Sequence, residues 1–132
     1  MKRSIALSIA LLPLALTACA KTAPGEAPPA SPAAEVIGKA VSCLPLTSYS
    51  TTRIRDDWTI DFIGGAGSKV WRVTLPHKCS GLKSADSFSF ETSLTQLCSN
   101  DIIYPIRQYG GQYQREGACG LGDFVPVKLL DK

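Results

Sequence analysis

Trp58-Thr59-Ile60-Asp61-Phe62 and Trp71-Arg72-Val73-Thr74-Leu75 decide the fold of this chain. In each run large apolar residues alternate with polar ones, the period of a strand with one face on a core. Gly64-Gly65-Ala66-Gly67 lies between them, so the pair reads as a β-hairpin closed by a glycine-rich turn.

The same texture extends to both sides. Tyr49 to Arg55 is rich in Thr, Ser and Tyr and ends at the turn pair Asp56-Asp57. Phe88 and Phe90 alternate with Ser87, Ser89 and Glu91; Ile102 to Tyr109 runs from Asp101 to Gly110-Gly111; Phe124 to Leu130 closes the pattern. Pro105 marks its strand as an edge strand or a bulge, because proline cannot donate to a ladder. The best helical spacing, Leu94, Leu97 and Cys98 within Thr92 to Cys98, predicts one or two turns at most. About seven short strands at roughly ten-residue spacing predict an all-β domain, a small antiparallel sandwich or barrel.

That domain occupies only part of the 132 residues. Lys2 and Arg3 precede an apolar run, Ile5 to Leu16, of about twelve residues, too short to span a bilayer but of the length of a secretory signal. It ends in Leu16-Thr17-Ala18-Cys19, which resembles the lipobox of bacterial lipoproteins. The resemblance implies cleavage before Cys19 and a diacylglyceryl group on its thiol. Ordinary cleavage after Ala20 is the alternative, since Ala18-Cys19-Ala20 is small at both ends. Residues 1–18 are therefore read as a signal peptide and 19–35 as a lipidated cysteine followed by a Pro/Ala-rich linker. Residues 36–132 are read as the folded domain. Ala20 to Ala34 carries no large apolar residue and is expected to be disordered. At ~3.1 Å per residue it reaches at most roughly 45 Å, a stand-off from lipid headgroups.

Charge excludes one class of partner. Removing Lys2 and Arg3 from the 14 basic residues leaves 12 against 11 acidic, with the signs interspersed. This is not the footprint of a nucleic-acid binder.

Five cysteines are an odd number for a secreted chain. Assigning Cys19 to lipid leaves Cys43, Cys79, Cys98 and Cys119, read as two disulfides in an oxidising compartment. The close pairs that zinc sites favour are absent from the sequence, so neither a metal nor another cofactor is expected. Four cysteines allow three pairings. Cys43–Cys119 with Cys79–Cys98 is the expected one, because the ends of small domains often lie together and a Cys79–Cys98 bridge would close the Phe88–Phe90 strand and its loops.

The remaining motifs read more readily as structure than as chemistry. Gly67-Ser68-Lys69 has the wrong order for a phosphate loop, and a strand follows it. His77, the only histidine, sits in Pro76-His77-Lys78-Cys79, and a general base would need a nucleophile and an orienting acid beside it. Asp56-Asp57 is read as capping turn amides rather than as an acid pair. Arg53 and Arg55 share a strand face that Arg72 is able to join, but nearby Asp56, Asp57 and Asp61 favour a solvated charged face. Tyr104, Tyr109 and Tyr113 offer an aromatic platform, although aromatics flanking a hairpin turn more often pack across strands.

Several elements of the domain together resemble a family of small lipoproteins of Gram-negative bacteria whose domain has no known function. They are Cys43-Leu44-Pro45-Leu46, Asp56-Asp57 with Ile60 and Phe62, and Leu75-Pro76 leading to Cys79-Ser80-Gly81-Leu82. They continue with Leu97-Cys98-Ser99, Asp101-Ile102-Ile103 and Cys119-Gly120-Leu121-Gly122 before Phe124-Val125-Pro126-Val127. The resemblance spans roughly Cys43 to Val127, departs from the family in a longer turn at Gly64 to Ser68, and implies class and location without an activity.

The function expected is a non-catalytic envelope module, anchored through lipid on Cys19, that binds a protein, glycan or lipid partner. Ala20 in place of an Asp after the cysteine points to the outer membrane, facing the periplasm. An enzyme acting on envelope polymers and a protein similar to periplasmic lysozyme inhibitors are the alternatives. A cleft around His77 would favour the first and a protruding loop the second. Because one acyl chain holds a protein to a membrane only marginally, several chains on Cys19 are needed for a stable anchor. Cys19→Ser is expected to abolish lipid attachment and release or misprocess the protein; mass spectrometry finding that variant still lipidated would refute the assignment.

Overall fold

In a computed structural model the two alternating runs form the hairpin read from the sequence: β4 (Thr59–Ile63) and β5 (Val70–Thr74) pair antiparallel, with Ile60 opposite Val73 and Phe62 opposite Trp71. The structure describes residue 25 and residues 27–30, 32–67 and 69–130; the expected signal peptide, Cys19 and the part of the linker at residues 20–24, 26 and 31 lie outside the described residues, as does Ser68. The hairpin turn is closed by the Gly64 amide donating to the Lys69 carbonyl at 2.8 Å, and Ala66 and Gly67 take left-handed φ values of 58° and 67°.

The hairpin is the centre of a five-stranded antiparallel sheet. Its order is β1 (Ala34–Val36), β11 (Phe124–Leu129), β5, β4, β3 (Thr51–Ile54). A second antiparallel sheet is built on β8 (Ile102–Tyr109), which pairs with β6 (Phe88–Phe90), β9 (Gln112–Arg115) and β10 (Cys119–Gly120). The short strands β2 (Cys43–Pro45) and β7 (Gln96–Cys98) pair only with each other. The fold is all-β, as expected, but with eleven strands among the described residues rather than about seven. The additional ones are two or three residues long, too short to show an alternation in sequence.

The two larger sheets and the β2–β7 pair share one core. Ile60, Phe62, Val73 and Phe124 enter it from the first sheet, Ile103 from the second, Leu44 and Leu97 from the β2–β7 pair. The Phe62 ring meets Tyr49, Phe88 and Phe124 edge-on, at centroid distances of 5.0, 6.3 and 5.2 Å. Each such ring adds roughly 1 kcal/mol beyond the burial of its area. Burial also holds the Tyr49 phenol above its ordinary pKa. Gly122 is required by a close approach: a Cβ there would stand 2.3 Å from the Thr74 carbonyl oxygen.

Two sequence expectations change, and a third is narrowed. Thr92 to Cys98 is not helical; Thr92 Oγ1 accepts from the Leu94 amide and donates to the Gln96 carbonyl, a side-chain-closed turn that leads into β7. The one described α-helix, α1 (Leu82–Ala85), is a single turn set by Gly81 and Asp86 at positive φ. Pro105 lies in a strand paired on both sides, so of the edge strand or bulge expected there the structure has the bulge. Between the Ile103–Cys119 and Ile106–Arg115 pairs β8 has two residues where the facing chain has three. The Glu116 amide donates to the Pro105 carbonyl, so that residue's missing N–H falls where the β9 ladder ends and the β10 ladder has not begun. Lastly, the folded region begins before residue 36. Ala34 to Val36 pairs with Val127 to Leu129, and Arg72 donates to the Pro32 carbonyl.

The expected disulfide pairing is also overturned. The bridges are Cys43–Cys98 and Cys79–Cys119, not Cys43–Cys119 and Cys79–Cys98. Cys43 and Cys98 are direct cross-strand partners in the β2–β7 pair. The Ser99 amide donates to Ser42 and the Leu46 amide to Thr95, which makes Cys43–Cys98 a non-hydrogen-bonded pair, where strands approach most closely. The ends of the domain do meet, as the sequence argument assumed. They meet through the β1–β11 ladder and the Val41–Phe124 bridge, with no need of a disulfide. Each bridge closes a long loop, with sequence separations of 55 and 40. On the loop-entropy model each is worth about 4 kcal/mol. Replacing Cys79 and Cys119 together by Ala is expected to lower unfolding stability by about that amount in urea titrations. Non-reducing peptide mapping should recover Cys43 linked to Cys98.

Candidate functional site

Strand alternation places Asp61 on the opposite side of β4 from Ile60 and Phe62, yet it is fully buried. A lone buried carboxylate is costly, and two arginines answer it. Arg72, opposite Asp61 across the ladder, binds it through both Nε (2.7 Å) and Nη2 (2.9 Å), a bidentate fork. Arg55, one residue past β3, binds through Nε at 2.7 Å. Arg72 Nη1 also donates to the Pro32 carbonyl, so the segment before β1 joins the same network. The sequence reading of Arg53, Arg55 and Arg72 as a solvated face diluted by Asp61 is thus corrected: Arg72 holds Asp61 with a bidentate pair, Arg55 joins it through Nε alone, and Arg53 stays exposed. Two guanidiniums on one carboxylate leave a surplus positive charge.

That surplus borders a groove of about 520 Å³ between β3 and α1, lined by Thr51 to Arg55 with Lys83 and Asp86. Lys83 Nζ donates to the Ile54 carbonyl across it at 3.1 Å. Nothing in the sequence joined Lys83 to the arginines, because α1 lies nearly thirty residues from β3 and meets it only through tertiary packing.

The second prominent surface is the β8–β9 hairpin. Residues Gln108 to Arg115 are exposed without a break, and Tyr109 and Tyr113 retain 49% and 72% of their accessible surface. The expected platform of Tyr104, Tyr109 and Tyr113 is divided by the register. Tyr113 lies opposite Gln108, on the face of Tyr104, whereas Tyr109 lies on the other face. The Arg115 guanidinium sits 4.5 Å from the centre of the Tyr104 ring and pairs with Glu91 at 2.5 Å. On the other face Glu116 accepts from the Tyr109 hydroxyl at 2.6 Å and pairs with Arg107 at 2.8 Å. The Glu116 carboxylate, by accepting that hydroxyl, holds the Tyr109 phenol above its ordinary pKa. The ion pairs brace the base of the hairpin, and the Tyr109 hydroxyl ties its end back to Glu116, while Tyr113 and the turn stay exposed.

His77 is exposed in the loop before Cys79. Asp56 and Asp57 cap amides, Asp56 Oδ1 accepting from Trp58 at 2.7 Å and Asp57 Oδ1 from Lys83 at 2.9 Å. No protein-family model, curated protein or solved structure matches this chain.

Removing one member of a buried ion cluster typically costs about 3–5 kcal/mol, because the remaining charges are left uncompensated. Asp61→Ala is expected to destabilise the domain by an amount in that range, and Arg53→Ala by less than about 0.5 kcal/mol; equilibrium unfolding of both variants checks the contrast.

Proposed function

We propose that the chain is a membrane-anchored envelope lipoprotein, related to the small four-cysteine lipoproteins noted above, whose β domain is a non-catalytic binding module. The observation that carries this reading is the β8–β9 hairpin, which projects a continuous exposed stretch with tyrosines on both faces from a disulfide-stapled body. Tyrosine supplies large, amphipathic contact area with few torsions to freeze, which suits it to recognition. The proposed anchor is lipid on Cys19, with the domain facing the periplasm from the outer membrane. Two disulfides suit an oxidising compartment.

The same projecting hairpin supports a second reading, an inhibitor of an envelope hydrolase in the manner of periplasmic lysozyme inhibitors, with the hairpin entering the hydrolase cleft. Under either reading the partner of the hairpin is an envelope macromolecule.

A photocrosslinking residue at Tyr113 in living cells is expected to give one dominant adduct that a control at exposed Lys39 does not. Tyr109→Ala combined with the probe should weaken that adduct. An identical adduct pattern from both positions would overturn the assignment of the hairpin. An adduct that proves to be a glycan hydrolase, whose activity the purified protein suppresses, would favour the inhibitor reading.

A further inference from the structure

β3 is an edge strand of the five-stranded sheet, and its free edge faces the groove shared with α1. The Arg55 amide donates to the Thr59 carbonyl, so Arg55 and Arg53 direct their backbone groups toward β4. By the alternation of an antiparallel ladder, Thr52 and Ile54 direct theirs away from it. The bond from Lys83 Nζ to the Ile54 carbonyl confirms that direction. The Thr52 N–H and C=O therefore stand open on the groove side. An uncovered edge is a template for another strand, and folded proteins usually blunt it.

The groove carries a distinct charge. Arg72 already matches Asp61 with a bidentate pair, which leaves Arg55 as a surplus cation with only Nε engaged. Arg53 has no ion-pair partner among the described residues, and Lys83 adds an ammonium. Asp86 is the one acidic residue lining the groove. Open main-chain groups flanked by guanidiniums at two-residue spacing match an extended backbone whose alternate side chains are carboxylates.

We propose that the β3 edge is a strand-addition site for an extended peptide segment bearing carboxylates at alternate positions. Thr52 supplies the main-chain pairing, Arg53 and Arg55 meet carboxylates on one face of the added strand, and Lys83 closes its end. The site belongs to the five-stranded sheet and is independent of the β8–β9 hairpin.

The test uses the full chain in detergent and fluorescein-labelled decapeptides in anisotropy titrations. A peptide of alternating Thr and Glu is expected to bind, with affinity falling as salt rises. The Gln counterpart, and a Glu peptide N-methylated at alternate amides, are each expected to bind roughly tenfold more weakly or worse. Arg53→Gln should weaken the Glu peptide by a similar factor while leaving the circular dichroism spectrum unchanged. Equal binding of the Gln peptide would overturn the charge requirement, and equal binding of the N-methylated peptide would overturn strand addition. Failure of the Glu peptide to bind at all, or its displacement by a more tightly held oligogalacturonate, would overturn the peptide assignment. None of these outcomes bears on crosslinking from Tyr113.

Discussion

Much of this domain depends on how one buried carboxylate is satisfied. Strand alternation gives β4 no choice: once Ile60 and Phe62 point into the core, Asp61 must point the other way. Two arginines and their apolar stems then cover it, one from the neighbouring strand β5 and one from the end of β3. The same cluster reaches the chain before β1 through the Pro32 carbonyl. Register, strand order and the path of the N-terminal segment are therefore tied to a single charge. A buried ion cluster adds little net stability over a hydrophobic one, but it tolerates few alternative arrangements, since every misplaced register would strand a charge.

The disulfides act on the parts that the Asp61 cluster does not reach. Cys43–Cys98 staples the two-stranded β2–β7 ribbon, which is too small to be stable by itself. Cys79–Cys119 joins the loop after β5 to β10, linking the first sheet to the second. The expected pairing of the first of these cysteines with the last rested on the ends of small domains lying together, and here they do. Main-chain pairing of β1 with β11 brings them together, and the cysteines are spent where ladders are shortest.

The two candidate recognition surfaces differ in chemistry. The β8–β9 hairpin presents aromatic and polar side chains braced by ion pairs at its base. The β3 edge presents main chain and surplus positive charge. In the proposed reading a lipid tether holds both at the membrane, where they face a partner in the periplasm.

The sequence by itself determined the strand class, the central hairpin with its turn, and the number of stapled cysteines. It also marked the turn role of Asp56, whose carboxylate accepts from the Trp58 amide two residues on, whereas Asp57 caps the distant Lys83 amide. These are local: alternation, glycine at a tight turn and side-chain capping act over a few residues, and each leaves a pattern in the order of residue types. Tertiary structure alone decided which cysteines meet, where the short strands lie, and that Asp61 is a buried anchor rather than a surface charge. It also brought Lys83 to Arg53 across nearly thirty residues. Those outcomes rest on which strands become neighbours. Strands of two or three residues show too little alternation to reveal their partners, and a charged residue on a strand reads the same whether its outer face is covered or bare.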